Sequence, residues 1–336
     1  MSLILAFESS CDDTSVAILD TEYKVLANLI SSQPEHVNYG GVLPELASRL
    51  HMKNIMRLSD LALTQANVSL GEIDAVAVSI NPGLIGSLIV GLSFAKSLAW
   101  GLGKPLITVN HLLSHIFANY IDHPDLHPPF LALVVSGGHT ELVHFKTNTD
   151  FDIVGKTLDD AAGETFDKAA KLMNLGFPGG PIIDKLSVGG NDKFVDLPYP
   201  LPQKDNFNFS YSGLKTAIRS YIKSQDPEVL AKHQKDLAAS IQTAIVKPLI
   251  NKSIRKAQEL KINKILLAGG VAANNALRSG LVQKAKASNI QVYYPSLKLC
   301  MDNAAMVAAA AIPKFKAGLF AGLDVNANSI KGTRLL

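Results

Sequence analysis

His111 and His115 stand one helical turn apart in the stretch NHLLSH (110–115), a spacing at which two imidazoles on one helix face can hold a divalent metal. Zinc peptidases use the related pattern H-E-x-x-H, in which the glutamate is the general base. Here Leu112, Leu113 and Ser114 fill the intervening slots, so the usual route to an activated water is missing. Taken alone, such a pair is more often structural than ligating. The remaining histidines show no comparable spacing, and solvated or packing roles are the default for them. Cys11 lies in a turn beside Asp12 and Asp13, where a small turn residue explains it as well as a nucleophile does.

The chain that must position these groups has 336 residues, 47% hydrophobic and 18% charged, which suits a globular protein of about two domains. A net charge of +3 permits a nucleic-acid partner without demanding one. Two cysteines, Cys11 and Cys300, argue against a disulfide framework and for a reducing, cytoplasmic setting. The start MSLILAFESSCDD lacks the basic region of a signal peptide. The most apolar stretch, residues 84–103, is interrupted by Lys96 and by glycines and reads as an internal helix, so no membrane span is expected.

Two segments share a plan. LILAFESSCDDTSVAILD (3–20) and FLALVVSGGHTELVHF (130–145) each read as strand, polar turn, strand. Each is followed by a buried strand, a glycine turn and a helix, at 74–100 and again at 263–287, and then by a further strand and helix. The repeated order predicts a duplicated α/β chain with lobes at 1–125 and 126–336 and an insertion in the second at about 150–235. Its last helix is free to pack back on the first lobe. Turns at Asp12-Asp13, Pro82-Gly83, Gly137-Gly138 and Gly269-Gly270 would let backbone N–H groups approach an anion. Two facing halves of this kind predict a nucleotide cleft, as in the actin-like (ASKHA, RNase H-like) superfamily of sugar kinases and Hsp70.

The duplication also supplies a third ligand. Asp302 stands as far beyond Gly270 as His115 stands beyond Gly83, which puts it at the matching place of the second copy. Two imidazoles and a carboxylate with open positions suit Fe(II) or Zn(II).

Nine stretches together resemble one family over nearly the whole length: FESSCDDTSVAI, YGGVLPELASRLH, NPGLIGSLIVG, NHLLSH, VVSGGHTEL, DDAAGETFDKAAKLMNLGFPGGP, FSYSGLKT, AGGVAANNALR and MDNAAM. The set is similar to the tRNA adenosine N6-threonylcarbamoyltransferases of bacterial TsaD type, long described as O-sialoglycoprotein endopeptidases because of the histidine pair. The resemblance implies transfer of a threonylcarbamoyl group from threonylcarbamoyl-AMP to N6 of the adenosine 3′ of the anticodon (position 37) in tRNAs reading ANN codons, with release of AMP. By position it implies one Fe2+, with Zn2+ as the alternative, on His111, His115 and Asp302. Val134, Val135, Ser136, Gly137 and Gly138, with Asp167, Gly180, Asp184 and Asn274, would bind the adenylate donor, and ATP or AMP would fit the same place. Asp12 is assigned to proton removal or orientation. The family usually reads S-C-D-E-T where this chain has Ser10-Cys11-Asp12-Asp13-Thr14, so Asp13 lacks the reach of the longer glutamate side chain by one methylene. A TsaB-type paralogue and a TsaE-type ATPase are the partners implied.

Three other readings compete. An ATP-dependent small-molecule kinase of the same fold explains the glycine turns but has no use for the triad. A chaperone-like ATP-regulated binder needs a further domain, and a metallopeptidase needs the missing glutamate. The basic run KSIRKAQELKINK (252–264) suits a tRNA phosphate contact but reads more simply as a solvated helix face.

Overall fold

The structure, a computed structural model, describes residues 1–39 and 41–329; Gly40 of the YGGVLPELASRLH stretch and residues 330–336 of the second lobe lie outside the described residues. The chain divides into two compact units, residues 1–126 with the chain from 295 onward, and residues 127–294. In the first stretch run β1 (Leu3–Glu8), β2 (Asp13–Asp20), β3 (Val25–Ser32), α1 (Pro44–Ala66), β4 (Ala75–Asn81), α2 (Ile85–Leu102), β5 (Leu106–Asn110), α3 (His111–Phe117) and α4 (Asn119–Asp122). The second unit carries β6 (Phe130–Val135), β7 (Thr140–Phe145), β8 (Phe151–Lys156), α5 (Ala162–Leu172), α6 (Gly179–Leu186), α7 (Ser212–Ser224), α8 (Pro227–Lys232), α9 (Gln234–Glu259), β9 (Lys264–Ala268), α10 (Asn275–Lys286) and β10 (Gln291–Tyr293). The chain then returns to the first unit with α11 (Leu297–Cys300) and α12 (Ala304–Lys316).

Each unit holds one five-stranded sheet, ordered β3-β2-β1-β4-β5 in the first and β8-β7-β6-β9-β10 in the second. The pairings correspond strand for strand. The hairpins β1–β2 and β6–β7 are antiparallel, as are β2–β3 and β7–β8, while β1–β4, β4–β5, β6–β9 and β9–β10 are parallel. The expected duplication is therefore present as topology. Helices α5 to α8 lie between β8 and α9, where the first unit has only a short connection from β3 to α1.

Burial on both faces explains why β1 reads as a continuous apolar run. Leu5 and Phe7 pack with Ile55, Leu58 and Ala62 of α1 and with Leu92 and Ala95 of α2. By the two-residue period of a strand, Ile4, Ala6 and Glu8 point to the opposite face, which α12 covers. Residues Ala304 to Ile312 of α12 are buried at every position, and the alanines that fill most of them let the helix lie close to the sheet. Helix α2 has the length and apolarity of a membrane span, but it packs on β4 and α1 and buries Leu88, Gly91, Leu92, Ala95 and Ala99.

Glycine decides two close approaches, one per unit. A Cβ on Gly83 would lie 2.5 Å from the Ser10 carbonyl oxygen in the β1–β2 turn. One on Gly269, whose φ is +88°, would lie 2.5 Å from the Val135 carbonyl oxygen in the β6–β7 turn. These two turns hold the hairpin ends by backbone packing, whereas Gly137 and Gly138 have open space where a Cβ would be.

Candidate active site

In the first unit the β5–α3 junction aims both histidines. The Asn110 side chain caps α3 by accepting from the backbone N–H groups of Leu112 (2.9 Å) and Leu113 (3.1 Å). Asp302 arrives from the other end of the sequence. Asn303 caps α12 through the Met306 N–H (3.1 Å), and the next two α12 N–H groups, Ala304 and Ala305, donate to Ser15 Oγ on β2 and Asn28 Oδ1 on β3. With that helix end pinned, Asp302 Oδ1 lies 3.1 Å from His115 Nε2 and 3.6 Å from His111 Nε2. Three ligand atoms bound at about 2.1 Å in a tetrahedral array would be about 3.4 Å apart. The ligand atoms of the three residues all lie within 4.8 Å of one another, so the donor set fits a first-row divalent ion. All three residues belong to the first unit; the packing of α12, not membership of a facing half, brings Asp302 to the histidines.

A residue the sequence reading passed over completes the group. Glu8, fully buried at the end of β1, lies 3.0 Å from His111 Nδ1 through Oε2, and its Oε1 accepts the Ser10 N–H at 2.6 Å. Ser10 Oγ is 3.1 Å from the same Nδ1. By contrast, His115 Nδ1 is buried with no hydrogen-bond partner among the described residues. Burial opposes the charge on His111, but Glu8 and Asp302 outweigh it and push this imidazole up to about 9. The Glu8 and Asp302 carboxyls are each held below their usual range against the cost of burial, chiefly by His111. The available signal for Glu8 was a lone acid ending a wholly apolar strand.

The β1–β2 turn carries Cys11, Asp12 and Asp13, all partly exposed. Burial, then the Asp12 and Asp302 charges, pushes the Cys11 thiol far above its ordinary value, so it is not a ready thiolate nucleophile. Burial also raises Asp13 to about 6, opposed by a hydrogen bond from Ser32 and reinforced by Asp302 and Asp12. His51, assigned by default to packing, is buried in α1. Its Nδ1 lies 2.7 Å from Thr14 Oγ1 and its Nε2 3.0 Å from the Cys11 carbonyl, which fixes the turn bearing Asp12.

The second unit gathers the other sequence candidates. Val134 and Val135 end β6 with fully buried side chains, leaving only their backbone for a ligand. The turn after them is closed by bonds from the Ser136 N–H to the His139 carbonyl (2.9 Å) and from the His139 N–H to Ser136 Oγ (3.2 Å). Helix α5 abuts this turn, because a Cβ on Gly163 would collide with the Ser136 carbonyl. On the same helix Asp167 accepts the Gly179 N–H at 2.7 Å. Burial raises its carboxyl, against hydrogen bonds from Gly179 and Gly180 at the start of α6. Asp184 on α6 accepts from Asn275 through its backbone N–H (3.1 Å) and its side-chain amide (2.8 Å). Asn274 caps α10 through the Leu277 N–H and donates to Gln242 at 2.9 Å, so much of its polar capacity is used internally.

The basic run at 252–264 holds a loop. Lys252, only 1% exposed, donates to the Asn208 carbonyl (2.5 Å), and Arg255 donates to the carbonyls of Gln203 and Asn206. Lys256 pairs with Glu259 at 2.7 Å.

Two sheets of identical strand order, each built on a hairpin with a parallel extension, define the duplicated actin-like class. Two solved structures share the fold. Full-length HypF has a TM-score of 0.62 at 15% identity over 95% of this chain and 56% of its own. The (R)-2-hydroxyglutaryl-CoA dehydratase component A of Acidaminococcus fermentans has 0.56 at 14% identity over 94% and 99%. Within that class the chain belongs to the TsaD family, tRNA N6-adenosine threonylcarbamoyltransferase, whose family model matches residues 24–309. A relative of that description from Thermosipho africanus is 48% identical over 318 residues, 94% of this chain and 96% of its own length. One from Clostridium botulinum is 46% identical over 325 residues, 96% of each. The chain is thus an acyltransferase that modifies tRNA, and the peptidase reading of the histidine pair falls away.

Proposed function

We propose that His111, His115 and Asp302 hold one divalent metal, Fe2+ with Zn2+ as the alternative, and that threonylcarbamoyl-AMP is the donor for transfer to N6 of adenosine 37. The observation that carries this reading is the convergence of three ligand atoms within 4.8 Å from two distant stretches of chain. When bound, the metal supplies Lewis-acid stabilisation and orientation of donor oxygens.

The exocyclic amine of adenine is a weak nucleophile, because its lone pair is delocalised into the ring, so the donor must be an activated mixed anhydride. N6 attacks the carbamoyl carbon, a C–N bond forms, and the bond to the phosphate oxygen breaks with its electron pair leaving on AMP. Asp12, partly exposed on the turn that His51 fixes, is assigned the proton lost from N6. In the second unit the open Gly137-Gly138 turn offers backbone N–H groups to the donor phosphate. Asp184 would accept from ribose hydroxyls. Asp167 would hold the Gly179-Gly180 turn, with Gly180 approaching the ligand, and the remaining capacity of Asn274 would meet a polar edge. ATP or AMP would fit the same groups.

We read the chain as two ancestral copies, 1–125 and 126–336, acting in the cytoplasm with a TsaB-type paralogue and a TsaE-type ATPase. In support of a protein partner, Met52 and Met56 on α1 and Ile85 and Ile89 on α2 each expose between 46% and 65% of their surface on two helices that pack together. The kinase alternative leaves the triad without a task. Purified protein with its partners, given threonylcarbamoyl-AMP and a tRNA transcript, should release AMP in step with modification of adenosine 37. Loss of the metal in His115→Ala should abolish both. Full transfer by a metal-free His115→Ala protein would sink the metal assignment.

A further inference from the structure

We propose that Glu8 is the positioning residue of the metal site, holding the proton of His111 on Nδ1 so that the Nε2 lone pair faces the ion. The inference rests on the reading of His111, His115 and Asp302 as metal ligands. An ionised carboxylate only accepts hydrogen bonds, and Glu8 Oε2 stands 3.0 Å from His111 Nδ1 with no exposure to solvent. Were Nδ1 unprotonated, a lone pair would face that oxygen across the same distance. The proton therefore lies on Nδ1, and Ser10 Oγ at 3.1 Å has no need to donate there. Nε2 is the nitrogen whose proton an ion would displace, leaving its lone pair on the side where Asp302 Oδ1 lies 3.6 Å away.

The rest of the geometry shows that this carboxylate is held for the task. The second oxygen of Glu8 accepts the Ser10 N–H at 2.6 Å, which fixes the carboxylate plane. His115 has no counterpart, since its Nδ1 lacks a partner among the described residues. One histidine is thus pre-oriented before metal arrives, and the other is oriented by packing within a fully buried helix. A carboxylate behind a ligating imidazole raises the basicity of the ligand and fixes its ring. Glutamine cannot replace it fully, because the Ser10 N–H and His111 Nδ1 meet different oxygens of Glu8, and the amide NH2 that replaces one of them would face a donor.

The test uses full-length protein reconstituted with Zn2+ in competition with a chelator. Glu8→Gln should bind Zn2+ about 10- to 100-fold more weakly than the parent while its metal-free circular dichroism is unchanged. Nitrogen-15 histidine spectra of the Zn2+-loaded parent should show His111 protonated on Nδ1. A folded Glu8→Gln protein binding Zn2+ within about twofold of the parent would overturn the proposal, since second-sphere loss costs more than that. So would spectra showing Nδ1 of His111 as the ligand, which decide the matter even if the variant does not fold. If the parent takes up neither Zn2+ nor Fe2+ stoichiometrically, the metal reading falls and this inference with it. Failure of the Glu8→Gln arm alone leaves the metal reading standing.

Discussion

At the scale of single residues, the chemistry depends on groups whose charge is set by burial and by one another. Asp302→Ala should remove the metal and lower transfer at least about 100-fold, in the range seen when a catalytic electrostatic group is lost, as read by metal analysis and single-turnover AMP release. Lys252 gives a separate, pH-dependent prediction. Burial, with Arg255 nearby, lowers its amine to about 8, below its unfolded value. Between pH 8 and the unfolded value the unfolded chain therefore binds more protons, and stability rises with pH. Lys252→Met should remove that rise, so the gap between the two proteins' melting curves should change across this window and stay flat below it. The triad was legible in the sequence because helical spacing exposed the histidine pair and internal symmetry pointed to Asp302. Glu8 and His51 were not, because their partners, His111 and the Cys11 carbonyl, are brought to them only by packing.

At the scale of elements, the hairpin turns are held by the strand–glycine–helix units beside them. Gly83→Ala and Gly269→Ala each force a Cβ against a backbone carbonyl, and each should cost about 1–3 kcal/mol in denaturant unfolding. Gly138→Ala meets open space and should change stability by less than about 0.5 kcal/mol while weakening binding of the donor or of AMP. Equal losses from all three would contradict this division between packing turns and a ligand-facing turn. From the sequence the three glycine turns look alike, since glycine marks close backbone packing and ligand approach equally. The neighbouring carbonyls of Ser10 and Val135 mark the packing use at Gly83 and Gly269, and open space leaves Gly137 and Gly138 for the proposed ligand. The N-cap at Asn303 belongs to this scale too. Asn303→Ala should cost about 1 kcal/mol and should loosen Asp302, which immediately precedes it, so metal affinity should fall with it.

The molecule as a whole is two copies of one sheet plan, with α12 used by the first unit. The repeated strand order was readable because strands, glycine turns and helices recur in the same sequence. The destination of α12 was less so. Its run of alanines shows that something approaches closely, but not that the partner is the sheet of β1 and β2. Ending the chain after Tyr294 should therefore leave residues 127–294 protected in hydrogen exchange and expose the sheet of the first unit.

The most direct test of the account is the threonylcarbamoyladenosine content of tRNA, measured by mass spectrometry in cells depleted of their own enzyme and supplied with this gene and its cognate partners. The account predicts that the parent restores the modification in tRNAs reading ANN codons and that Asp302→Ala does not. Absence of the modification with the parent, or its full restoration by Asp302→Ala, would contradict it.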